Sequence, residues 1–372
     1  MSLRVLLTAT SYPSDEMDWK GLFIRRIVEA LARRVDLGLT AWLPPGPLPE
    51  NVGRATVADD DRWLRSLMDA GGIAHLLRRR PLRGIVAAAS LLRRQRRSLA
   101  RSDAGLFHVN WLQNALALPR DGRPAVITVL GTDMQLLRLP GMRVLLRRAL
   151  HGRRTAICPN AEWMVAPLEQ AFGDVSRVQY VPFGVDGCWY QIRRHADDGT
   201  NRWLCVSRLT VAKLGPLFEW GETCFTGAQR ELHLFGPRQE AGISIPDWVH
   251  YHGPATPDQL CKEWFPRASG LVTLSRHAEG RPQVMLEAMA AGMPILASRL
   301  PAHADLVKQD RNGRLCDDAA EFSAGLDALE DPIRNADMGR NAREAAHALA
   351  GDWDDCAARY VDVYRQLLAE RQ

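Results

Sequence analysis

The sequence predicts an α/β protein with two domains, each built on a parallel sheet that helices cover on both faces. The chain of 372 residues is long enough for two domains of ordinary size. Short, almost continuously apolar runs alternate with stretches of helical periodicity, which is typical of buried parallel sheets. These runs fall into two sets, and a polar stretch at 193–201 separates them.

The apolar runs give the predicted strands in chain order. In the first half they are Arg4–Thr8, Val35–Leu43, Gly105–Val109, Ala125–Leu130, Thr155–Cys158 and Val178–Val181. In the second half they are Trp203–Val206, Leu232–Phe235, Val249–His252, Gly270–Leu274, Pro294–Ala297 and Gly313–Cys316. Helical periodicity is clear at Phe23–Arg34, at Val284–Ala291 and in a final helix near 352–370. We therefore expect one domain at 1–186, a second at 187–351, and a C-terminal helix at 352–372.

Composition and charge are those of a water-soluble chain with two unlike halves. Residues 1–186 carry 27 Lys and Arg against 17 Asp and Glu, whereas residues 187–372 carry 21 against 26. Opposite net charges indicate two lobes with different partners. The seven cysteines include no Cys-x-x-Cys pair, which favours a reduced, cytoplasmic protein. We expect no membrane span and no signal peptide, because the first apolar run ends at a turn after a few residues.

The segment Ser275–Ser298 has the pattern of a strand, a loop and a ligand-binding helix. Glu279 lies in the loop, Pro282 stands where the helix should begin, and Glu287 follows about five residues into it. At the rise of an α-helix, Glu287 lies roughly 7–8 Å beyond the helix start. Free amides at a helix N-terminus bind phosphate, and ligands of parallel sheets bind at the carboxyl ends of the strands. The sequence therefore predicts that both carboxylates face one phosphorylated ligand.

Glu279 and Glu287, with seven residues between them and Ala-Met-Ala-Ala-Gly-Met-Pro294 after the second, resemble the E-x7-E signature of retaining glycosyltransferase family 4. The resemblance implies the GT-B fold, in which two Rossmann-like domains face each other across a cleft and a C-terminal helix crosses back to the first domain. It implies that Glu279 contacts the sugar of a nucleotide-sugar donor and that Glu287 binds its ribose. It also assigns the donor to the segment between them: Gly280, Arg281, Pro282, Gln283 and Val284.

A second element, Val206–Gly215, resembles the family's G-R-L…K-G element, in which an Arg and a Lys hold the donor diphosphate. The resemblance gives these roles to Arg208 and Lys213. The leaving diphosphate gains negative charge as the glycosidic bond breaks, so fixed cations stabilise the transition state more than the ground state. This sequence departs from the pattern by one residue, because Leu214 separates Lys213 from the glycine.

The first half resembles the family more loosely. Gly21, in the segment after the first strand, is similar to a glycine that lets the backbone approach the donor phosphate. His108-Val-Asn-Trp111 and Gly131-Thr-Asp133 resemble an H-x-H-W segment and an H-G-S/T-D element, but Leu130 stands where the second element has its histidine. That histidine lies beside the reacting sugar in the family. Either a neighbour such as His108 or Asp133 takes its role, or the activity is reduced.

Two charged segments have several interpretations. The basic amphipathic stretch Arg78–Arg101, with an apolar stripe at Leu82, Ile85, Val86, Ala89 and Leu92, is typical of contact with an anionic membrane or lipid phosphate. Another anionic partner or an ordinary charged outer face are the alternatives, whereas nucleic acid is disfavoured because no aromatic-interleaved motif accompanies the arginines. Asp59–Asp61 is interpreted as a solvated charge run in a loop. We therefore expect no metal and no cofactor.

Together these features predict a retaining glycosyltransferase that moves a sugar from a nucleotide sugar, with UDP favoured over GDP, to a hydroxyl acceptor. The acceptor is expected to be a glycan or a lipid-linked intermediate of cell-surface polysaccharide or glycolipid synthesis. The expected location is the cytoplasm or the inner face of the membrane. Two alternatives remain: a catalytically decayed scaffold that binds nucleotide sugar or glycan, and a sugar-nucleotide epimerase of the same fold.

Overall fold

A computed structural model describes residues 3–15, 18–195, 199–227 and 229–369. The chain forms two compact units. Unit 1 comprises Met1–Phe183 together with Trp353–Gln372, and unit 2 comprises Gly184–Asp352. The divisions fall after Phe183 and Asp352, close to the expected divisions after 186 and 351, and the C-terminal segment belongs to unit 1.

Unit 1 is built on a parallel sheet in the order β3-β2-β1-β4-β5-β6-β7. Its strands are β1 (Leu3–Thr8), β2 (Leu37–Trp42), β3 (Val52–Arg54), β4 (Leu106–Asn110), β5 (Ala125–Val129), β6 (Thr155–Pro159) and β7 (Arg177–Val178). Its helices begin with α1 (Leu22–Ala32), α2 (Ala58–Asp69), α3 (Gly72–Arg79), α4 (Pro81–Arg101), α5 (Met142–Leu150) and α6 (Val165–Phe172). The sequence missed β3, whose residues lack an apolar run. It placed the last strand at Val178–Val181, whereas β7 is Arg177–Val178 and the amides of Gln179 and Val181 go on donating to the β6 carbonyls of Ile157 and Pro159 at 2.9 and 3.0 Å.

Unit 2 is built on a second parallel sheet, in the order β10-β9-β8-β11-β12-β13. Its strands are β8 (Asn201–Val206), β9 (Arg230–Phe235), β10 (Val249–Gly253), β11 (Gly270–Thr273), β12 (Ile295–Ser298) and β13 (Gly313–Cys316). Its helices are α7 (Gly187–Tyr190), α8 (Val211–Leu214), α9 (Leu217–Phe225), α10 (Pro257–Gln259), α11 (Gln283–Ala290), α12 (Pro301–Ala304), α13 (Ala319–Glu330) and α14 (Pro332–Leu349). Each strand predicted in this half is present.

The C-terminal helix α15 (Trp353–Ala369) packs against α1 and strand β6 of unit 1. It buries an apolar and aromatic stripe that includes Trp353, Tyr360 and Tyr364 in the core formed with β1, β2 and α1. The other face of the sheet carries a second core, to which α4, α5 and α6 contribute leucines. The sheet of unit 1 is therefore covered on both faces, as its continuous apolar strands predict.

In each sheet the chain order reverses beside the first strand, between β1 and β4 in unit 1 and between β8 and β11 in unit 2. Such a reversal leaves a crevice at the carboxyl ends of the two strands, because the connections leave them toward opposite faces. In unit 1 the segments that follow β1 and β4 meet this point. In unit 2 it is reached by the segments that follow β8 and β11, which carry the predicted donor residues.

The acidic run Asp59–Asp61 is not a solvated loop but the first turn of α2, so that interpretation is wrong. The Asp60 carboxylate is buried and accepts hydrogen bonds from Trp42 Nε1 at 3.2 Å and Arg94 Nη1 at 2.8 Å. Negative side chains in the first turn also interact favourably with the helix dipole. The run therefore anchors α2 to the sheet and to α4.

Candidate functional site

The segment after β8 carries the two predicted cations, Arg208 in the loop and Lys213 on the single turn of α8. The Thr210 side chain caps α8 by accepting the Lys213 amide at 3.2 Å. Gly215 has φ of 56°, and a Cβ there would lie 1.9 Å from the carbonyl oxygen of Leu274, so only glycine fits. The extra residue Leu214 is buried in the core of unit 2. The departure from the family pattern is thus absorbed by packing, and the β8 loop lies against the end of β11.

Lys213 and Glu279 form a nearly buried ion pair across the two neighbouring strand ends. Lys213 Nζ lies 2.6 Å from Glu279 Oε1, and the two side chains are only 15% and 12% exposed. Burial lowers the pKa of Lys213, and Glu279 offsets part of that effect. Burial alone would raise the pKa of Glu279, but the Lys213 ammonium outweighs it, so the pKa lies below its usual value. The half-buried Arg208 is close enough for its charge to lower the pKa of Lys213 further.

Three residues that the sequence analysis missed hold Glu279 in place. Ser275 Oγ donates to Glu279 Oε1 at 3.0 Å, and Ser298 Oγ donates to the Ser275 carbonyl at 2.7 Å. His303 Nδ1 donates to the Ser298 carbonyl at 2.9 Å. The two serines stand at the carboxyl ends of adjacent strands, and that position is a signal the sequence does contain. His303 carries no such signal, because only the fold brings α12 beside this loop.

His303 is fully buried, and its position fixes its tautomer. Because a carbonyl can only accept, the proton resides on Nδ1, and burial lowers the pKa of the ring. Its Nε2 is buried and has no hydrogen-bond partner among the described residues. Glu279 and Lys213 both act on its pKa electrostatically, so the ring lies near the ion pair. The site therefore contains a buried polar atom that the fold itself does not satisfy.

Helix α11 places amides and a carboxylate beside the ion pair. It begins at Gln283, so the amides of its first turn, including those of Gln283 and Val284, lack intrahelical partners. Glu287 is the fifth residue of the helix, as predicted, and is half-buried. Burial, Cys261 and, more weakly, Glu287 raise the pKa of the Cys188 thiol to about 12, which places Glu287 near α7. An eight-residue helix with a free N-terminus is a suitable anion site.

The residues between Glu279 and Glu287 differ in what they can offer a ligand. Pro282 precedes the helix and has no N–H to donate to a phosphate, and its assignment to the donor stays a prediction. The Arg281 side chain is 2% exposed and turns toward Asp305, with Nη2 3.5 Å from Oδ2. Gln283 Nε2 donates to the Gly184 carbonyl at 2.8 Å. Main-chain amides, rather than these side chains, face the crevice.

Two arginines occupy the other end of α11. Arg343 donates from Nε to the Ala290 carbonyl at 3.0 Å and from Nη2 to the Ala291 carbonyl at 2.8 Å. Arg194 Nη1 donates to the Gly292 carbonyl at 2.7 Å. Cations at a helix C-terminus stabilise the helix dipole and satisfy its orphan carbonyls. The helix is thus held by charge at its C-terminus while its N-terminus stays open.

In unit 1, His108 is buried in the core, and its assignment to catalysis stays a prediction. Its ring is fully buried on β4, where Nδ1 lies 2.6 Å from the Tyr364 hydroxyl and Nε2 lies 2.8 Å from Thr128 Oγ1. Burial lowers the pKa of His108 to about 3, so the ring is neutral. Both nitrogens are occupied, and the histidine ties the sheet to α15.

Asp133 is buried and holds two loops together, and its catalytic assignment likewise stays a prediction. Its Oδ2 accepts the Leu112 amide at 3.0 Å, and its Oδ1 accepts the Leu130 amide at 3.1 Å. Burial raises the pKa of Asp133, and these amides offset part of the effect. Leu130, which replaces the family histidine, packs against the core. The carboxylate therefore fixes the loops after β4 and β5 and presents nothing to a ligand.

Gly21 and Trp111 mark the reversal point of unit 1. Gly21 precedes α1 with φ of 74°, and a Cβ there would lie 2.7 Å from the Ser11 carbonyl carbon. Its contact with a donor phosphate stays a prediction. Trp111, directly after β4, has φ of 67°, which is a strained value for a bulky residue. Its ring lies edge-to-face with Phe23 at 6.1 Å. The sequence analysis did not single out this tryptophan as a site residue.

Known proteins resemble this chain in part of its sequence. Residues 223–331 match the family described as glycosyl transferases group 1. The D-inositol 3-phosphate glycosyltransferase of Acidothermus cellulolyticus is 33% identical over 134 residues, which cover 36% of this chain and 29% of the relative. An enzyme named D-inositol 3-phosphate glycosyltransferase 2, from Catenulispora acidiphila, is 32% identical over 150 residues, or 39% of this chain and 33% of the relative. The matched segment thus spans about a third of each relative.

Solved structures resemble the chain over almost its whole length. Sucrose-phosphate synthase from Thermosynechococcus elongatus gives a TM-score of 0.71 at 16% identity, over 99% of both chains. Trehalose 6-phosphate synthase from Burkholderia multivorans gives 0.70 at 15% identity, over 99% of this chain and 97% of that one. The Anabaena protein HepE, in complex with UDP-glucose, gives 0.65 at 14% identity, over 98% and 100%. These likenesses confirm the predicted GT-B fold, and the family match adds a glycosyl transferase group 1 segment within unit 2.

Proposed function

We propose that the protein is a retaining glycosyltransferase that moves a sugar from a UDP-sugar to a hydroxyl of a glycan or lipid-linked acceptor. The observation that carries the proposal is the Lys213–Glu279 pair, placed at the reversal point of the sheet beside the open N-terminus of α11. Cations and free amides at one point suit a diphosphate. A carboxylate among them suits the hydroxyls of a sugar.

Each group has a distinct role in the proposed reaction. Arg208, Lys213 and the first-turn amides of α11 hold the diphosphate, and Glu287 binds the ribose. Donor binding draws Lys213 toward the phosphates and frees the Glu279 carboxylate to accept hydrogen bonds from the sugar. The bond between C1 and the diphosphate breaks with its electron pair leaving on the diphosphate. The acceptor oxygen bonds to C1 from the same face, and its proton passes to the departing phosphate oxygen.

In this proposal the protein's own groups neutralise the leaving diphosphate, and no metal takes part. Fixed cations and amides act mainly when charge develops in the transition state, which raises the rate rather than the affinity. The His303 ring lies near the Lys213–Glu279 pair, and its orphan Nε2, which carries a lone pair, can accept a hydrogen bond from a hydroxyl of the bound donor. The acceptor is assigned to unit 1 by the resemblance alone.

A second candidate, a scaffold that binds nucleotide sugar without turnover, is favoured by one specific observation. Neither His108 nor Asp133 is accessible, and Leu130 packs into the core where the family has its histidine. The two candidates share the donor site. The enzyme transfers the sugar from the bound donor to an acceptor, whereas the scaffold only binds the donor.

The test is thermal stabilisation of the purified protein by UDP-, GDP- and ADP-sugars. Ligand at 100 times its Kd should add about 2.7 kcal/mol to the free energy of unfolding. We expect a shift with the UDP-sugar in the wild type and in the control Glu344→Ala, an exposed glutamate on α14. The shift should disappear in Glu287→Ala. Absence of any shift at millimolar ligand would contradict the donor site.

Release of UDP from the bound donor then separates enzyme from scaffold. The enzyme should release UDP slowly with water and faster with extracts containing lipid-linked glycans. A protein that binds the UDP-sugar tightly but releases no UDP with either would be the scaffold.

A further inference from the structure

Helices α3 and α4 form a hairpin whose outer face differs from that of an ordinary surface helix. Arg80 alone links them, and Pro81 opens α4. The two helices pack against each other, and α4 turns Gly84, Leu91, Gln95 and Leu99 toward the protein. We call Gly72–Arg101 the α3–α4 hairpin. One face of the hairpin is already packed against unit 1. Packing in the core of unit 1 therefore does not explain the aliphatic side chains that the hairpin exposes.

The outer face of α4 begins with a patch of exposed aliphatic side chains. Leu82, Ile85 and Val86 are 80%, 59% and 68% exposed. Leu77, on the neighbouring helix α3, is exposed as well. Leu82, Ile85, Val86 and Ala89 follow the spacing of one helix face. The sequence predicted this stripe, but the structure turns it outward. We call Leu77, Leu82, Ile85 and Val86 the apolar patch.

The apolar patch is surrounded by arginine and by no acidic residue of its own segment. Between Asp69 and Asp103 the sequence contains no Asp or Glu, and its arginines are Arg78, Arg79, Arg80, Arg83, Arg93, Arg94, Arg96, Arg97 and Arg101. Arg94 binds Asp59 and Asp60. Within the described part of the chain, no salt bridge engages Arg79, Arg80 or Arg83 at the tip of the hairpin, where all three are exposed.

A second helix on the same side repeats this chemistry. Helix α5 packs, as α4 does, on the short helical segment Leu112–Ala117, and it exposes Val144 and Leu145. Arg143 and Arg148 flank them. Two helices that contact one segment thus both present aliphatic and guanidinium groups to solvent.

We propose that the α3–α4 hairpin docks on an anionic lipid bilayer. The apolar patch enters the boundary between headgroups and acyl chains, and Arg79, Arg80 and Arg83 bind lipid phosphates. Aliphatic side chains with cations between them match a bilayer, which has an apolar interior of acyl chains and an anionic layer of headgroups. No described helix is long and apolar enough to cross a membrane. The proposal does not rest on the proposed function, because docking needs no donor.

The test is flotation of the full-length protein with vesicles of phosphatidylglycerol and phosphatidylcholine, compared with phosphatidylcholine alone. We expect binding to the anionic vesicles that weakens as salt rises. Arg79→Gln/Arg80→Gln/Arg83→Gln should lower the partition coefficient by about 100-fold, because each cation near an anionic surface raises that coefficient by a factor of roughly five. Leu82→Ser/Ile85→Ser/Val86→Ser should lower it by at least about ten-fold and leave the salt dependence in place.

Matched variants control for charge and for exposed apolar area elsewhere. Arg311→Gln/Arg334→Gln/Arg340→Gln changes the net charge equally, at exposed positions of unit 2. Val35→Ser/Val57→Ser/Ile333→Ser removes equally exposed aliphatic side chains outside the hairpin. Both controls should float like the wild type. All altered positions are exposed, so the folded state should persist, and circular dichroism verifies this.

Three results would overturn the proposal. The first is no flotation of the wild type with anionic vesicles at low salt. The second is equal flotation of the wild type and both hairpin triples. The third is a wild-type dimer in solution that Leu82→Ser/Ile85→Ser/Val86→Ser dissociates, which would make a second copy of the chain the occupant of the patch.

Discussion

The two units share the strand order around their first strand, but the predicted site residues beside it differ in how far the fold satisfies them. In unit 2 the strand ends at β8 and β11 carry the Lys213–Glu279 pair, and the buried His303 has an unsatisfied nitrogen. In unit 1 the two predicted site residues next to β4 and β5 are satisfied within the fold, whereas Thr8 Oγ1 and Asn110 Oδ1, at the ends of β1 and β4, have no partner among the described residues. His108 uses both ring nitrogens, and Asp133 uses both carboxylate oxygens.

This difference teaches that position in a fold does not by itself make a residue functional. A polar group whose hydrogen bonds are already made within the protein gains nothing from a ligand and stabilises the structure instead. A group held in an incomplete or partly desolvated arrangement can gain from one. The following predictions test whether the polar groups of unit 2 serve chemistry and those of unit 1 serve stability.

The largest effect is expected for Lys213→Met. Loss of the cation should lower the rate of sugar transfer, or of UDP release from the donor, by roughly 10²–10³-fold. The measurement is kcat and KM for UDP release. The control is Lys262→Met, which removes a lysine that also lies 2.6 Å from a carboxylate but is exposed. A rate for Lys213→Met close to that of the control would show that the pair in unit 2 is structural.

Next in size is His108→Phe in unit 1, which should lower the free energy of unfolding by about 2–3 kcal/mol. The substitution leaves the Tyr364 hydroxyl buried without its partner and removes one of the two partners of Thr128 Oγ1, which keeps the Tyr360 hydroxyl at 2.7 Å. Urea unfolding measures this effect, and His151→Phe, at an exposed position, is the control. Donor affinity should stay the same. If the variant had normal stability and impaired turnover, the result would support a catalytic role for His108.

A smaller effect is expected when the pair is neutralised as a whole. The free energy of unfolding of Lys213→Met/Glu279→Gln should lie within about 1 kcal/mol of the wild-type value or above it. The reason is that buried ion pairs are rarely more stabilising than neutral groups of similar size. Lys213→Met alone should be less stable than the double variant, since it leaves Glu279 buried and unpaired. If the double variant were much less stable than the wild type, the pair would be part of the scaffold.

The smallest effect is on the acid side of the stability profile. The pKa of Glu279 is lowered in the folded protein, so the carboxylate stabilises the fold above the unfolded-chain pKa of about 4.3. That contribution is lost as the pH falls through the lower folded-state pKa. The thermal midpoint of the wild type should therefore fall more steeply between neutral and acid pH than that of Glu279→Gln. Parallel profiles would mean that Lys213 does not stabilise the charged carboxylate.

Much of the fold could be predicted because buried parallel strands require continuous apolar runs. Each run of the second half forms a strand, and the periodic stretch at 284–291 forms α11. The edge strand β3 could not be predicted, since only one of its residues is buried. The apolar stripe of α4 was predicted as a stripe, but periodicity does not say whether such a stripe faces the core or solvent.

The donor site was predicted where its residues are close in sequence. Glu279, Pro282 and Glu287 lie on one loop and one helix, so their spacing fixes their placement. Ser298 and His303 were missed because a strand and a helix separated from the loop bring them there. The burial of His108 and Asp133 could not be predicted, because a motif does not reveal whether a side chain points into the crevice or into the core.

By itself the sequence determined the two parallel sheets, the order of their strands along the chain, and the strand–loop–helix unit that carries Glu279 and Glu287. These depend on local periodicity and on nearest-neighbour spacing, which the chain encodes directly. Only the tertiary structure decided which polar groups remain unsatisfied and which aliphatic groups remain exposed. Both are properties of packing between distant segments: α15 covers His108, α12 brings His303 near Glu279, and none of the described residues covers Leu82.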